Sequence, residues 1–242
     1  MNKGMELKDL TKIYNEHSKV ENISFTIKQG EMVALCGGNG AGKSTLIKMV
    51  TGILKPTSGH ILLDEQEVDP ISKEYRKMFS YMPDDMLFPR QLSAVEVLLF
   101  FASLRNVPKE KVDDVLQLVG LYDVRKRLIK HYSKGMQQRL SFAQALLADT
   151  SLIILDEPTN GLDPFWVYRF KEILQEEKKK GKAILFTTHI LSLVEEIADK
   201  AAFLETGKLI HFDTVDYLTK LSGQKQSLEQ VFFAEQIARQ IK

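Results

Sequence analysis

The stretch MVALCGGNGAGKST, residues 32–45, joins a buried strand pattern to a glycine-rich turn and the beginning of a helix. Its turn fits the pattern G-x-x-x-x-G-K-[ST] with Gly37, Gly38, Asn39, Gly40, Ala41, Gly42, Lys43 and Ser44. Glycines let the backbone curl so that successive N–H groups point inward at the start of the helix, which suits a phosphate. The pattern predicts a nucleoside triphosphate site, with Lys43 on the β- and γ-phosphates and Ser44 on Mg²⁺. The alternative is a flexible turn with a chance lysine.

The second half of a metal site is predicted in SLIILDEP, residues 151–158. Asp156 ends an apolar strand, where its carboxylate can approach Mg²⁺ through water, and Glu157 can orient or deprotonate an attacking water. The alternative is a turn that caps the next helix. One strand later, His189 follows AILFTT, on the predicted ligand edge of a parallel sheet. A single histidine at a strand end is commonly structural, so the residue pattern alone leaves its role open.

Strand and helix patterns alternate on both sides of a block that is helical throughout. Strand patterns run through residues 5–35 and return in HILLD, MFSYM, SLIILD and AILFTT, while residues 85–150 contain three helical patterns. This order predicts one domain with an α/β core, residues 1–84 and 151–222, and an inserted all-helical subdomain, residues 85–150.

The tail, residues 223–242, is predicted to be a C-terminal helix, because Val231, Ala234, Ala238 and Ile241 fall on one side of it. That side either packs on the core or serves as a docking face.

Composition narrows the classes of function. The 242 residues include 33 basic and 32 acidic side chains, a net charge of +1 that gives no reason to expect nucleic-acid binding. The single cysteine, Cys36, excludes an intramolecular disulfide, suits a reducing cytoplasm and is predicted to be a core residue. No apolar run approaches the roughly 18 residues of a membrane-spanning helix, and the N-terminus lacks the apolar segment of a signal peptide. Any work at a membrane is therefore expected from the cytoplasmic side and through a partner.

The segment YSKGMQQRLSFAQALL, residues 132–147, predicts a helix with an unusually small and polar first turn. Ser133 can cap it. Met136, Leu140, Ala143 and Leu147 fall at helical spacing.

In order and spacing, these segments resemble the ATP-binding subunits of ABC transporters from end to end. GGNGAGKST resembles the family's phosphate loop, YSKGMQQR its signature motif, LIILDEP its Walker B strand, NGLDP its D-loop and TTHIL its switch histidine. The resemblance implies a P-loop NTPase with a RecA-like mixed or parallel sheet core, an N-terminal antiparallel β subdomain and the inserted helical subdomain. It also implies ATP and Mg²⁺ as ligands and ATP hydrolysis coupled to transport.

The resemblance assigns roles to individual residues. Two such subunits stack head to tail, so the signature of each closes over the nucleotide held by the other. Ser133 then offers a hydroxyl and Gly135 a backbone N–H to the γ-phosphate, while Ser133 still caps its helix. Glu157 activates water, and His189 contacts the γ-phosphate and holds Glu157. The implied ATP-binding set is Tyr14 (stacking on adenine), Gly37, Gly38, Asn39, Gly40, Ala41, Gly42, Lys43, Ser44, Thr45, Ser133, Gly135, Gln137 and Asp163, the last also linking the protomers. For Tyr14, a surface residue at a strand end is the alternative.

One position departs from the family pattern. Where the family carries a glutamine that touches Mg²⁺ and the attacking water, this sequence reads YMPDDM and places Asp84. Asp84 joins Ser44 and Asp156 as a candidate metal-site residue. A turn acid after Pro83 is the alternative.

These features favour the ATPase subunit of a transporter. A polytopic membrane subunit would receive the motion through residues 84–92, in a groove that includes Met86, Leu87 and Phe88. The second ATP-binding subunit would be a copy of this chain or a related one, and the pair would lie on the cytoplasmic face of a bacterial-type membrane. The ending SLEQVFF resembles that of compact ATPases that serve drug, peptide and lantibiotic exporters, and we expect no additional regulatory domain of the kind common in sugar importers; both expectations favour export.

Two alternatives have less support. The first is an ABC ATPase that acts in translation or DNA repair, but the single cassette, the insertion of ordinary length and the lack of a basic patch weigh against it. The second is a catalytically inactive binding module, which the candidate residues Lys43, Asp156, Glu157 and His189 disfavour.

Overall fold

The computed structural model of the chain describes residues 4–15, 18–221 and 225–233. The strands are β1 (Gly4–Asn15), β2 (Ser18–Lys28), β3 (Met32–Cys36), β4 (Ser58–Leu63), β5 (Gln66–Val68), β6 (Phe79–Met82), β7 (Leu152–Leu155), β8 (Ala183–Thr188), β9 (Lys200–Glu205) and β10 (Lys208–Thr214). The helices are α1 (Lys43–Val50), α2 (Lys73–Lys77), α3 (Ala94–Arg105), α4 (Glu110–Leu118), α5 (Lys134–Leu147), α6 (Pro164–Lys179), α7 (Leu191–Ile197) and α8 (Val215–Leu218). Two 3₁₀ turns, Tyr122–Val124 and Ile129–His131, precede α5.

The strands form two sheets. The larger has the order β10-β9-β3-β8-β7-β6, in which only the β9–β10 pair is antiparallel. The smaller has the order β2-β1-β4-β5 and is antiparallel throughout. The predicted fold class, a mixed sheet with an N-terminal antiparallel subdomain, is confirmed.

Register brings the ends of the parallel strands together. Met82 of β6 pairs with Leu155 of β7, which pairs in turn with Phe186 of β8, and Cys36 of β3 pairs with Thr188 of β8. The segments that follow these four strands therefore leave the sheet at one edge, where ligands of open α/β sheets bind.

The core lies on both faces of the larger sheet. In β3, Met32, Ala34 and Cys36 join one apolar cluster, while Val33 and Leu35 join the other. This explains why MVALC reads as a continuous apolar run, as expected of a parallel strand covered on both sides. The predicted core position of Cys36 is confirmed, and burial raises the pKa of its thiol to about 12.

The predicted helical block is present as α3, α4 and α5, which pack against one another. Ser93 forms a capping box with Glu96 at the start of α3, so its backbone and side chain fix where that helix begins. None of the helices in the described ranges combines the length and apolar character required to cross a bilayer.

The hairpin of β9 and β10 was not predicted from the sequence. Its turn, Thr206-Gly207, has positive φ at both residues (45° and 77°), a conformation that glycine favours. The Gly207 N–H donates to the carbonyl of Ala41 at 3.0 Å, so the hairpin supports the glycine-rich turn after β3.

The predicted C-terminal helix lies only partly within the described residues. Residues 228–233 are helical, Leu228 is fully buried, and Phe232 packs on Phe203 with ring centroids 5.0 Å apart. Residues 222–224 and 234–242, with Ala234, Ala238 and Ile241, lie outside the described residues.

Candidate functional site

The glycine-rich turn connects the end of β3 to α1 and has the conformation that the sequence predicts. Gly37, Gly40 and Gly42 have φ values of 152°, 79° and 105°, which residues with a side chain rarely adopt. A Cβ on Gly42 would lie 2.8 Å from the Val20 side chain, so the space is also closed to one. Gly38, Asn39 and Gly40 are exposed and form the rim of the cradle.

Lys43 lies over this turn. Its ammonium group donates to the carbonyl of Gly37 at 2.6 Å, which places a positive charge at the N-terminus of α1. A positive charge there is unfavourable for the helix alone and favourable for a bound polyphosphate. Ser44, one residue further, is exposed, with Thr45 half-buried beside it.

Asp156 follows β7 and is almost fully buried, with 9% of its surface exposed. Thr187 donates its hydroxyl to Asp156 Oδ1 at 2.6 Å and accepts the backbone N–H of Glu157 at 2.8 Å. Burial raises the pKa of the Asp156 carboxyl, and the negative charge of Asp84 adds to the rise. This hydroxyl therefore fixes both acidic residues at the end of the sheet.

Glu157 and His189 are in direct contact. His189 Nδ1 lies 2.9 Å from Glu157 Oε2, and the imidazole is largely exposed while the carboxylate is not (61% against 14%). Glu157 has a positive φ of 46°, an uncommon backbone conformation for a glutamate. The expected pairing of these two residues is thus present, with the histidine between the carboxylate and solvent.

Asp84 follows β6 and Pro83 at the same edge of the sheet. Its Oδ1 accepts a hydrogen bond from the Asn160 side chain at 3.0 Å. The negative charge of Asp84 also acts on Asp156, so the two carboxylates lie near each other at this edge of the sheet.

The signature segment begins α5 as predicted. Ser133 is exposed and caps the helix, its Oγ accepting the Met136 N–H at 3.2 Å. A Cβ on Gly135 would lie 2.9 Å from the carbonyl of Gly161, so the start of α5 packs on the D-loop.

Asp163 is exposed and caps α6 by accepting the Trp166 N–H at 3.0 Å. Gln137 turns back to the carbonyl of Tyr132 at 3.2 Å.

Two further candidates lie at the surface. Tyr14 is the penultimate residue of β1 and is 52% exposed, and the Lys12 ammonium lies 5.8 Å from the centroid of its ring. Leu87 is 92% exposed, which suits the predicted partner groove, but Phe88 is only 7% exposed and belongs to the core. The prediction that Phe88 lines the groove is therefore wrong, because its side chain packs with the helical block.

Three residues at the site were not predicted. They are Thr187, Asn160 and Gln138, the last of which donates to the carbonyls of Glu157 and Pro158 at 3.2 Å each. Two of them have a signal in the sequence, since hydroxyls at the end of a buried strand and a glutamine at a buried helix position both need partners. Asn160 has no such signal, because its contact depends on how the turn folds.

Comparison with known proteins identifies the family. A family model described as ABC transporter matches residues 20–160. The lantibiotic transport ATP-binding protein SrtF of Streptococcus pyogenes is 36% identical over 228 residues, covering 94% of this chain and 95% of SrtF. The bacitracin transport ATP-binding protein BcrA of Bacillus licheniformis is 37% identical over 214 residues, covering 88% of this chain and 70% of BcrA.

Solved structures agree. One described as the ATP-binding subunit of an ABC transporter superposes with a TM-score of 0.87 at 32% identity, covering 96% of this chain and 98% of that one. The superposition covers nearly the whole described fold, including the helical block.

Proposed function

We propose a mechanism for this chain. The premise is that the chain belongs to the ABC transporter family and is an ATP-binding subunit, the ATPase that drives transport. The proposal is that two subunits pair head to tail and that each signature helix completes the ATP site of the other. The observation that carries it is exposure: the rim Gly38–Gly40, Ser133 and Asp163 are all open to solvent. Two open half-sites on one chain are what a head-to-tail pair would close.

ATP would be held by the residues of the turn and its helix. The backbone N–H groups of residues 37–45 surround the phosphates, Lys43 moves its ammonium from the Gly37 carbonyl to the β- and γ-phosphates, and Tyr14 stacks on adenine. Ser133, Gly135, Gln137 and Asp163 of the second subunit would close over the γ-phosphate.

The residues also fit a magnesium ion. Ser44 supplies an exposed hydroxyl, and Asp156 and Asp84 supply carboxylates; burial raises the pKa of Asp156, and the negative charge of Asp84 adds to the rise. Hard oxygen donors with excess negative charge suit Mg²⁺, which takes few protein ligands beside phosphate and water. When bound, Mg²⁺ would neutralise charge on the phosphates.

Hydrolysis would be carried by Glu157 and His189. Glu157 accepts the proton of the attacking water, and the Thr187 hydroxyl holds its backbone in place. His189, through its contact with Glu157 Oε2, orients that carboxylate and reaches towards the γ-phosphate.

A membrane subunit would receive the motion. Leu87 offers an almost fully exposed apolar side chain in the loop between β6 and α3, next to Asp84. We place the pair at the cytoplasmic face of a bacterial-type membrane, and we favour export because SrtF and BcrA carry the description of lantibiotic and bacitracin transport.

The pairing is tested with Glu157→Gln. This variant keeps the ATP cradle but cannot take the proton, so Mg-ATP should trap a dimer visible by size-exclusion chromatography. Adding Ser133→Arg should abolish the trapped dimer and leave the ATP affinity of the monomer within about two-fold. A large loss of affinity in the monomer would contradict the assignment of Ser133 to the second subunit's ATP.

The membrane partner is tested by a tagged pull-down from gently solubilised native membranes, with mass spectrometry of the chains that co-purify. A polytopic membrane protein in near-equal amount supports the transport partnership. Recovery of this chain without one would refute it and leave ATP hydrolysis standing.

A further inference from the structure

The Arg139 side chain connects three helices behind the D-loop. Its guanidinium lies 4.0 Å from the centroid of the Trp166 ring in the first turn of α6. Its Nη1 donates to the carbonyls of Val119 and Gly120, at 3.1 Å each, where α4 ends. Arg139 itself belongs to α5, so one side chain holds α4, α5 and α6 together.

The Trp166 side chain packs closely against Gly120 and Arg139. Gly120 has a φ of +62°, and a Cβ there would lie 2.2 Å from Cη2 of Trp166. Arg139 Nε is buried and lacks a hydrogen-bond partner within the described part of the chain, and burial lowers the pKa of the guanidinium. The ring face and the two carbonyls stabilise this partly buried cation. Movement of Trp166 away from Arg139 or Gly120 would break these contacts.

Trp166 is also tied to the D-loop. Its backbone N–H donates to Asp163 Oδ1 at 3.0 Å, and the charge of Asp163 acts on Arg139, opposing the effect of burial on its pKa. At the other end of the same loop, Gln138 donates to the carbonyls of Glu157 and Pro158. Two consecutive residues of the signature helix thus hold both ends of the loop 157–163.

We propose that Trp166, held between Arg139 and Gly120, is a positioning residue for ATP hydrolysis that sets Asp163 and the catalytic loop according to the position of the helical subdomain. Trp166 touches neither ATP nor the attacking water. When α4 and α5 move, the ring must follow, and Asp163 moves with it. The proposal rests on the proposed function in one respect, the placement of Asp163 at the bound nucleotide.

The test compares four chains: wild type, Trp166→Ala, Trp166→Phe and the neighbouring control Phe165→Ala. Phe165 lies beside Trp166 in the same helical turn, and its side chain is 63% exposed. Trp166→Ala should lower the kcat of ATP hydrolysis at least ten-fold with the ATP dissociation constant of the monomer within two-fold. Trp166→Phe should restore at least half of the wild-type kcat, and Phe165→Ala should stay within two-fold of wild type. Wild-type kcat in Trp166→Ala, or a loss that merely follows the folded fraction or ATP affinity, would overturn the proposal.

A second measurement uses the unaltered ring. Trp166 is the only tryptophan of the chain, so fluorescence excited selectively at tryptophan, beyond the absorption of the tyrosines, reports on it alone. In Glu157→Gln, Mg-ATP should shift the emission maximum, and the added Ser133→Arg should remove the shift. A trapped dimer with unchanged emission would overturn the positioning role. If Glu157→Gln traps no dimer, the proposed self-pairing fails instead, and the kcat of Trp166→Ala against Trp166→Phe still decides the positioning role.

Discussion

Thr187 shows how much of the site depends on a single hydroxyl. It donates to Asp156 and accepts from the Glu157 backbone, and its side chain is fully buried. Both acidic residues follow β7, whereas Thr187 lies on the neighbouring strand β8. Because β7 and β8 are paired, this hydroxyl holds both acidic residues in a fixed position relative to β8.

Thr187→Val should remove both hydrogen bonds at nearly constant volume. Leaving a buried carboxylate oxygen and N–H unpaired should cost about 1–3 kcal/mol of unfolding free energy, measured by urea denaturation. The kcat of ATP hydrolysis should fall about ten-fold or more, as is typical when the hydrogen-bond partner of a metal-ligating carboxylate is removed. Thr150→Val is the matched control, since Thr150 is also buried and hydrogen-bonded, to Ser80 and Leu152 before β7 begins. Equal losses of kcat in both variants would contradict a specific role for Thr187.

The His189–Glu157 contact predicts a selective loss of hydrolysis. His189→Ala should reduce kcat at least ten-fold, because Glu157 loses the group that orients it, while ATP binding to the monomer persists. His60→Ala is a close control, since His60 Nδ1 also lies near a glutamate, 2.6 Å from Glu67, at the β4–β5 pair. Steady-state ATPase assays decide the matter: a His189→Ala enzyme as active as His60→Ala would refute the assignment.

At the scale of elements, an ion cluster centred on the buried pair Lys182–Glu177 joins the ends of α5 and α6 to the start of β8. Lys182 lies 2.6 Å from Glu177 and 2.9 Å from Asp149, and Lys180 lies 2.7 Å from Glu177. Burial alone would raise the pKa of Glu177, but the hydrogen bonds from Lys180 and Lys182 outweigh it and hold the pKa below its ordinary value. The cluster holds Lys182, the residue before β8, in place. Thr187 and His189 lie at the other end of that strand, so their positions depend on it.

Lys182→Met should destabilise the fold by about 3 kcal/mol, because it leaves the buried Glu177 carboxylate with Lys180 as its one remaining partner. Lys179→Met, which breaks the exposed pair with Glu176, should leave the stability essentially unchanged. The folded-state pKa of Glu177 is depressed, so its contribution is present above the unfolded value of 4.5 and disappears as the pH falls through the folded value. Urea denaturation below pH 4.5 should thus show a shallower decline for Lys182→Met than for wild type. An equal decline would contradict the coupling.

At the scale of the whole molecule, the sequence predicts the fold class and places the candidate site residues at the ends of parallel strands, but it does not predict the packing between distant segments. The sequence indicates the glycine turn, Asp156, Glu157 and His189 because each follows an apolar run that predicts a strand. Parallel strands bring their carboxyl ends together at one edge of the sheet. The sequence does not predict the β9–β10 hairpin or the contact of Asn160 with Asp84, because both depend on packing between distant segments. Phe88 was misplaced because an apolar residue in a loop gives no sign of which way it faces.

The proposed pairing depends on two exposed regions of the molecule. The cradle after β3 and the start of α5 are each exposed, and the loop 157–163 connects them through Glu157 and Asp163. A single chain in this arrangement would bind ATP without enclosing it, so hydrolysis should require a pair.

Mixing two inactive variants tests this claim most directly. Lys43→Ala lacks a working cradle and keeps its signature, whereas Ser133→Arg lacks a working signature and keeps its cradle. In a mixed head-to-tail dimer, the cradle of Ser133→Arg meets the intact signature of Lys43→Ala. The account predicts that steady-state ATPase activity, absent from either variant alone, reappears when they are mixed and peaks near equal amounts. A mixture as inactive as its components at concentrations where wild type pairs would contradict it.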